Sequence, residues 1–282
     1  MTLLKFLKQQ EKRATKLGKE EEAIKILILE LSDLSGADFV AKLNDKVDDE
    51  FITKMTEAID KYLIDGIPVQ HIVGYSYFYG YKFKVSPDVL IPRCETEELV
   101  GYVLQYYDNI FKGQKVDVAD VGTGSGAIAI SLSLEEPNMN VCATDISEKA
   151  VEVAKYNAKT NGAKVDFMVG DMLEPLIEKG IKLDILVSNP PYIPDDEEVQ
   201  DIVLNNEPHV ALFGGKDGMH FYDVILSNAK KVLKEKNIIA FEHSYSKGQA
   251  MHDLAKKYFP DGEVTLIKDL EGKDRMTIIV NK

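Results

Sequence analysis

Along the first 74 residues the apolar positions recur at helical spacing. Between Asp48 and Leu63 the residues Phe51, Ile52, Met55, Ile59, Tyr62 and Leu63 fall on one side of a 3.6-residue repeat, and Asp48 with Asp49 stand where a first turn needs side-chain acceptors. Residues 2–17 and 20–34 carry similar amphipathic patterns. The segment 1–74 is therefore expected to form a small all-α domain, a folded lid, an adaptor or a substrate-docking module. From Tyr75 to Val85 the period shortens to two, with aromatic and branched residues alternating around Gly80, which predicts a β-hairpin. Residues 75–92 are read as a hairpin linker. Aromatic stripes of this kind pack across hairpins more often than they stack on bases.

Beyond Gln114 the pattern becomes strand, turn, helix, strand. Lys115–Val121, Asn140–Thr144, Lys164–Val169, Leu183–Ser188 and Asn237–His243 are short apolar runs, separated by helical patterns near 126–135, 147–160 and 217–234. Glu263–Asp269 and Met276–Val280 add two strands after a further helix, suited to an antiparallel pair at the end of the sheet. Such alternation predicts an α/β domain over 93–282, with a mostly parallel sheet covered by helices on both faces.

The first strand of that series runs into Gly122-Thr123-Gly124-Ser125-Gly126 and then into an apolar helix. Glycines at a strand-to-helix turn permit backbone angles and close approach that a Cβ forbids, so a ligand can lie against bare backbone at the carboxyl edge of the sheet. Alone this is a weak signal, because Gly122-x-Gly124-x-x-Ala127 also fits a dinucleotide fingerprint. Asp145, with Ile146 beside it, ends the next strand, where a carboxylate can accept two ribose hydroxyls; the alternative is a cap for the helix after Ser147. Asp171 and Met172 close the third strand at the same edge. They can meet an adenine amino group and ring, or serve as a turn cap and a core residue.

The fourth strand delivers Asn189-Pro190-Pro191-Tyr192 onto that edge. Two prolines stiffen the backbone and remove its N–H groups, leaving carbonyls to face a ligand. A planar NH2 group needs two angled acceptors, which the Asn189 side-chain oxygen and the Pro190 carbonyl supply, and Tyr192 can stack on a flat amide or ring. A cofactor cleft beside a pocket for a planar nitrogen points to methyl transfer from S-adenosylmethionine. An oxidoreductase that uses NAD would leave Asn189–Tyr192 without a role, and a non-catalytic binding module would not bring both signals to one edge.

Charge narrows the acceptor. Lys and Arg total 34 against 47 Asp and Glu, a net charge of −13, which opposes nucleic acid as the main partner because such binding rests on cationic displacement of counterions. The two cysteines, Cys94 and Cys142, and an N-terminus without signal-peptide features lead us to expect a cytoplasmic protein. The five histidines show no zinc spacing, so no metal is expected. No apolar run reaches the ~20 residues a membrane helix needs.

With these residues in view the chain resembles the protein-glutamine N5-methyltransferases that modify class I peptide chain release factors, the HemK/PrmC family. The likeness spans nearly the whole sequence. It includes Pro68-Val69-Gln70-His71-Ile72-Val73-Gly74, Leu90-Ile91-Pro92-Arg93 with Glu95-Thr96-Glu97, the glycine loop, Ser188–Tyr192, Glu207-Pro208 with Ala211-Leu212, and Glu242-His243. The resemblance implies a seven-stranded Rossmann-like class I methyltransferase domain preceded by the helical domain, acting on the glutamine of a Gly-Gly-Gln loop; a monomer is expected. Asn-Pro-Pro-Tyr by itself is shared with adenine-N6 DNA methyltransferases, so a DNA or RNA base acceptor is the alternative. Carried over by position, Gly122–Gly126, Asp145 and Met172 match cofactor contacts, and Asn189–Tyr192 match the glutamine pocket. Cys94, Met172 and Ser244 depart from the family pattern, where proline, an aromatic residue and glycine are usual.

Overall fold

In the computed structural model, which describes residues 1–32 and 34–282, the periodicity of the N-terminal segment resolves into helices α1 (Leu3–Lys16), α2 (Glu21–Leu31), α3 (Gly36–Ala41), α4 (Asp49–Leu63) and α5 (Val69–Val73). Side chains start three of them: Thr2, Ser35 and Asp48 accept the backbone N–H of Lys5, Asp38 and Phe51, each satisfying a donor that the first helical turn leaves free. Asp33, inside the helical pattern over 20–34, lies outside the described residues. The apolar faces bury Phe6, Ile24, Leu27, Ile28, Met55 and Ile59 in one cluster, and an Arg13–Asp60 ion pair of 2.6 Å joins α1 to α4.

The period-two segment forms strands β1 (Tyr75–Phe78) and β2 (Tyr81–Lys84). Tyr79 and Gly80 between them both have positive φ, 50° and 79°, as a two-residue hairpin turn requires.

The rest of the chain adds α6 (Cys94–Phe111), β3 (Val116–Val121), α7 (Ala127–Glu135), β4 (Met139–Asp145), α8 (Glu148–Asn161), β5 (Val165–Val169), α9 (Glu174–Glu178), β6 (Leu183–Ser188), α10 (Asp201–Leu204), α11 (His220–Ala229), β7 (Leu233–Glu242), α12 (Gly248–Tyr258), β8 (Glu263–Lys268) and β9 (Asp274–Asn281). Helix α6 has no counterpart among the expected elements, although Leu99, Val100, Val103, Tyr107 and Phe111 carry a helical repeat and are buried. Helix α11 is shorter than the pattern over 217–234, because Leu233 already belongs to a long strand whose burial continues to Glu242. Two compact units result: residues 1–75 with 199–206, and residues 76–198 with 207–282. Nothing in the sequence periodicity announces that α10 belongs with the first unit, where Asn206 donates to the carbonyls of Gly66 and Ile202, each at 2.9 Å.

The sheet has seven strands in the order β5-β4-β3-β6-β7-β9-β8, parallel except for β9, which runs antiparallel to both neighbours. Successive residues of a strand face opposite sides. Val118, Ile185, Val187, Ile238 and Ala240 accordingly face one apolar layer with α6 and α7, whereas Ala119, Leu186, Ile239 and Phe241 face the other with α11 and α12. Leu183 sits in the cluster with Leu186 rather than with Ile185, and the pairing of β6 with β7 is irregular between Leu183 and Ile185. Burial on both faces explains why these strands read as continuous apolar runs, each fully buried Ile, Leu or Phe contributing about 1.5–3 kcal/mol. After β3 the chain builds outward through β4 and β5, then returns to the other side of β3 as β6. That reversal opens a crevice at the carboxyl ends of β3 and β6, the place where open α/β sheets bind ligands.

Candidate active site

The glycine turn after β3 forms the floor of the crevice. Gly122 and Gly124 have φ of 74° and 55°, and a Cβ on either would project into open space, so the turn presents bare backbone there. Gly126 is glycine for another reason. A Cβ on it would come within 2.9 Å of Ile130 and 3.1 Å of Ala154, so its missing side chain lets α7 pack closely on α8, and the structure does not bring it to the cleft. Asn157 of α8, unremarkable in the sequence, secures the turn by donating to the Ser125 carbonyl at 2.9 Å while bonding both polar backbone groups of Lys84.

Asp145 ends β4 beside this turn. Its Oδ2 accepts the N–H of Gly124 at 2.8 Å and its Oδ1 accepts the N–H of Ser147 at 2.9 Å. The helix cap is Ser147 itself, whose hydroxyl accepts from Ala150, so capping does not account for Asp145. Burial raises the pKa of its carboxyl, against the pull of the two N–H groups. Each carboxylate oxygen keeps a further lone pair. Ile146 is 53% exposed on the cleft wall, an apolar side chain left open beside a buried acid. Asp171 and Met172 also line the cleft. The Met172 carbonyl accepts the Thr144 hydroxyl at 2.8 Å, and its side chain packs on the edge of the α11–α12 layer, so the residue reaches both core and cleft.

Asn189 and Pro191 complete the wall. The end of β6 is locked to β3 by the Ser188 hydroxyl, which donates to the Val121 carbonyl at 2.5 Å. Asn189 Nδ2 donates to Thr96 Oγ1 at 3.1 Å. Pro190 is buried, and Tyr192 packs against the α11–α12 layer, its phenol pushed up to about 12 chiefly by burial. Neither reaches the cleft lining. A glycine loop clamps the tetrad from behind: a Cβ on Gly214 would lie 2.5 Å from the Pro191 carbonyl oxygen, and one on Gly218 would lie 2.2 Å from that of Tyr192. The Pro191 carbonyl therefore lies against this loop.

Several cleft residues were not singled out individually by the sequence reading. Val89, Leu90, Arg93, Val210 and Phe221 also line the cleft. Arg93 pairs with the buried Glu207 at 2.6 Å, and Glu207 also accepts the Ile91 N–H at 3.0 Å, so one carboxylate fixes the whole 91–93 turn. Leu90-Ile91-Pro92-Arg93 and Glu207-Pro208 were visible as motifs, yet only folding shows that they bind each other. Among the described residues no cluster of His, Cys, Asp or Glu is arranged to hold a metal ion.

With the glycine turn, Asp145 and Asn189 gathered in one cleft at the switch point of this sheet, the fold is that of a Rossmann-like methyltransferase. The methyltransferase small domain model matches residues 106–206 and the PrmC N-terminal domain model matches residues 4–74. The release factor glutamine methyltransferase of Bacillus anthracis is 42% identical over 261 residues, 92% of each chain. That of Bacillus subtilis (strain 168) is 41% identical over 277 residues, 97% of this chain and 96% of its own. A crystal structure of a methyltransferase from Pyrococcus furiosus, 20% identical, covers 82% of this chain and 95% of its own with a TM-score of 0.52, a likeness of fold. This chain belongs to the release factor glutamine methyltransferase family.

Proposed function

We propose that this protein methylates the side-chain amide nitrogen of a glutamine in class I peptide chain release factors, with S-adenosylmethionine as methyl donor. The observation that carries the reading is the seating of Asn189, at the end of β6, in the same cleft wall as the glycine turn of β3 and Asp145 of β4. When bound, S-adenosylmethionine supplies an electrophilic methyl group on a sulfonium.

The residues fit that group. Gly122, Thr123, Gly124 and Ser125 offer an uncrowded backbone floor, Asp145 offers two further acceptor sites for ribose hydroxyls, and Ile146, Asp171 and Met172 offer an apolar and acidic wall for adenine. On the acceptor side, Asn189 Oδ1 takes an N–H of the glutamine amide. An amide nitrogen is a poor nucleophile because its lone pair is delocalised into the carbonyl. An acceptor off the amide plane draws an N–H bond out of it and helps to localise that pair, so orientation rather than a strong base carries the step. Pro191 stiffens the turn, and Tyr192, packed behind it, supports the pocket. A glutamine offered on a Gly-Gly-Gln loop can enter without unfolding its owner.

Labelled S-adenosylmethionine incubated with a release factor, with a variant whose loop glutamine is glutamate, and with DNA tests this directly. Label is expected on the native factor alone, at the glutamine nitrogen by peptide mass spectrometry. Equal labelling of the glutamate variant, or faster labelling of DNA adenine, would show the amide acceptor to be wrong.

A further inference from the structure

Asn189 can serve an incoming NH2 group only with its carbonyl oxygen toward the cleft, and an amide side chain is nearly symmetric in shape. Something must choose its orientation. Glu242 at the end of β7 is 1% exposed, and the side chains of Thr96, in the first turn of α6, and Asn189, themselves joined at 3.1 Å, both stabilise its charged carboxyl. Its Oε2 has no partner among the described residues. The nearby Arg275 is engaged by Asp269, Nε to Oδ2 at 3.1 Å, and so does not neutralise Glu242 by direct pairing.

An ionised carboxylate only accepts. Thr96 has one hydroxyl hydrogen; once it is given to Glu242, Thr96 Oγ1 has only lone pairs to offer, and the group that meets it at 3.1 Å must be a donor. Asn189 therefore turns its NH2 inward, to Thr96 and Glu242, and its Oδ1 outward. We infer that Glu242, acting through Thr96, is the positioning residue that sets the amide orientation of Asn189 and thereby makes the cleft selective for an NH2-bearing acceptor. A protonated Glu242 reverses the logic, since its O–H donates, the Thr96 hydroxyl is released, and both favour Asn189 turned over with its carbonyl inward.

Burial pushes the Glu242 carboxyl up to about 7, with Glu95 raising it further and Thr96, Arg275 and Asn189 opposing. The other ionisable groups facing it are the phenols of Tyr192, pushed up to about 12, and Tyr222, raised well above the ordinary phenol value by burial. Tyr222 donates instead to the Glu242 backbone carbonyl at 2.8 Å. The orientation of Asn189 is thus set to change near neutral pH.

The inference rests on the proposed glutamine pocket, so its test uses two separate readouts. With saturating release factor and S-adenosylmethionine, wild-type kcat should fall about tenfold per pH unit below 7, while Glu242→Gln, which has nothing to titrate there, should stay flat from about pH 5.5 to 8.5. Thr96→Val should lose about 10- to 100-fold in kcat at pH 8 with cofactor affinity unchanged by calorimetry, and Thr96→Ser should restore it. Independently of turnover, the side-chain amide NMR signal of Asn189 should shift with a midpoint near 7 in wild type and not in Glu242→Gln, two proteins whose buried isosteres share a fold. An unmoved Asn189 signal, an acid limb that persists in Glu242→Gln, or a Thr96→Val loss matched by lost cofactor affinity would overturn the relay. A titrating Asn189 signal with no glutamine methylation at any pH would uphold the relay and overturn the function.

Discussion

At the scale of single residues, the proposed function gives Asp145 the methyl-donor half of the cleft and Asn189 the acceptor half. Asp145→Ala should weaken S-adenosylmethionine binding, because two hydrogen bonds to a carboxylate, each worth about 1.5–3 kcal/mol, would be lost. The N–H groups of Gly124 and Ser147 would lose their partner as well. Calorimetry on the folded variant measures the change; unaltered affinity would remove Asp145 from the site. Asn189→Ala should act differently, leaving cofactor affinity nearly intact and suppressing turnover by a larger factor. Near-normal kcat in that variant would contradict the pocket. Both residues were identifiable from sequence because each follows an apolar run that can only be a strand. Thr96 and Glu242 stood out only as members of motifs and Asn157 not at all, since the role of a polar residue has no pattern until its distant partner is known.

At the scale of elements, the tetrad after β6 is held by the glycine loop that precedes α11. Gly214 does not have positive φ, yet a Cβ there would meet backbone at 2.5 Å from the Pro191 oxygen and 2.8 Å from Tyr192 Cα. Gly214→Ala should therefore displace the tetrad. We expect a folded protein with lowered kcat, a smaller change in cofactor affinity and a lower unfolding temperature, read by turnover, calorimetry and thermal denaturation. Wild-type kcat would show that the clamp has no part in setting the pocket. The strands were legible as elements because burial on both faces demands unbroken apolar runs. Helix α6 was equally encoded in its Leu99-Val103-Tyr107-Phe111 repeat. The length of α11 was not encoded in the same way, since Leu226, Val232 and Leu233 suit helix and strand alike and only pairing of Leu183 with Leu233 decides between them.

At the scale of the whole molecule, two fully buried acids make stability depend on pH. Burial pushes Asp120 up to about 7, against hydrogen bonds from Thr123 and Ala129, as it does Glu242. A carboxyl whose pKa is raised on folding binds more protons in the native than in the unfolded state between about pH 4 and 7, so its contribution is present below that window and is lost as pH rises through 7. Asp120→Asn removes one such group. The fall in unfolding temperature from pH 5 to pH 8 should be smaller in that variant than in wild type, and equal slopes would show that Asp120 is not protonated in the folded state near pH 5. By itself the sequence determined the order of strands and helices, the glycine turn, the acid after β4 and the Asn-Pro-Pro-Tyr tetrad, because local periodicity and backbone stereochemistry are written in neighbouring residues. Only the tertiary structure decided that β9 inserts between β7 and β8, that 199–206 joins the helical unit, that Glu207 seizes Arg93, and that Glu242 and Thr96 stand behind Asn189. Each of those depends on which distant groups must share a buried space and satisfy one another's hydrogen bonds, and no local pattern carries that information.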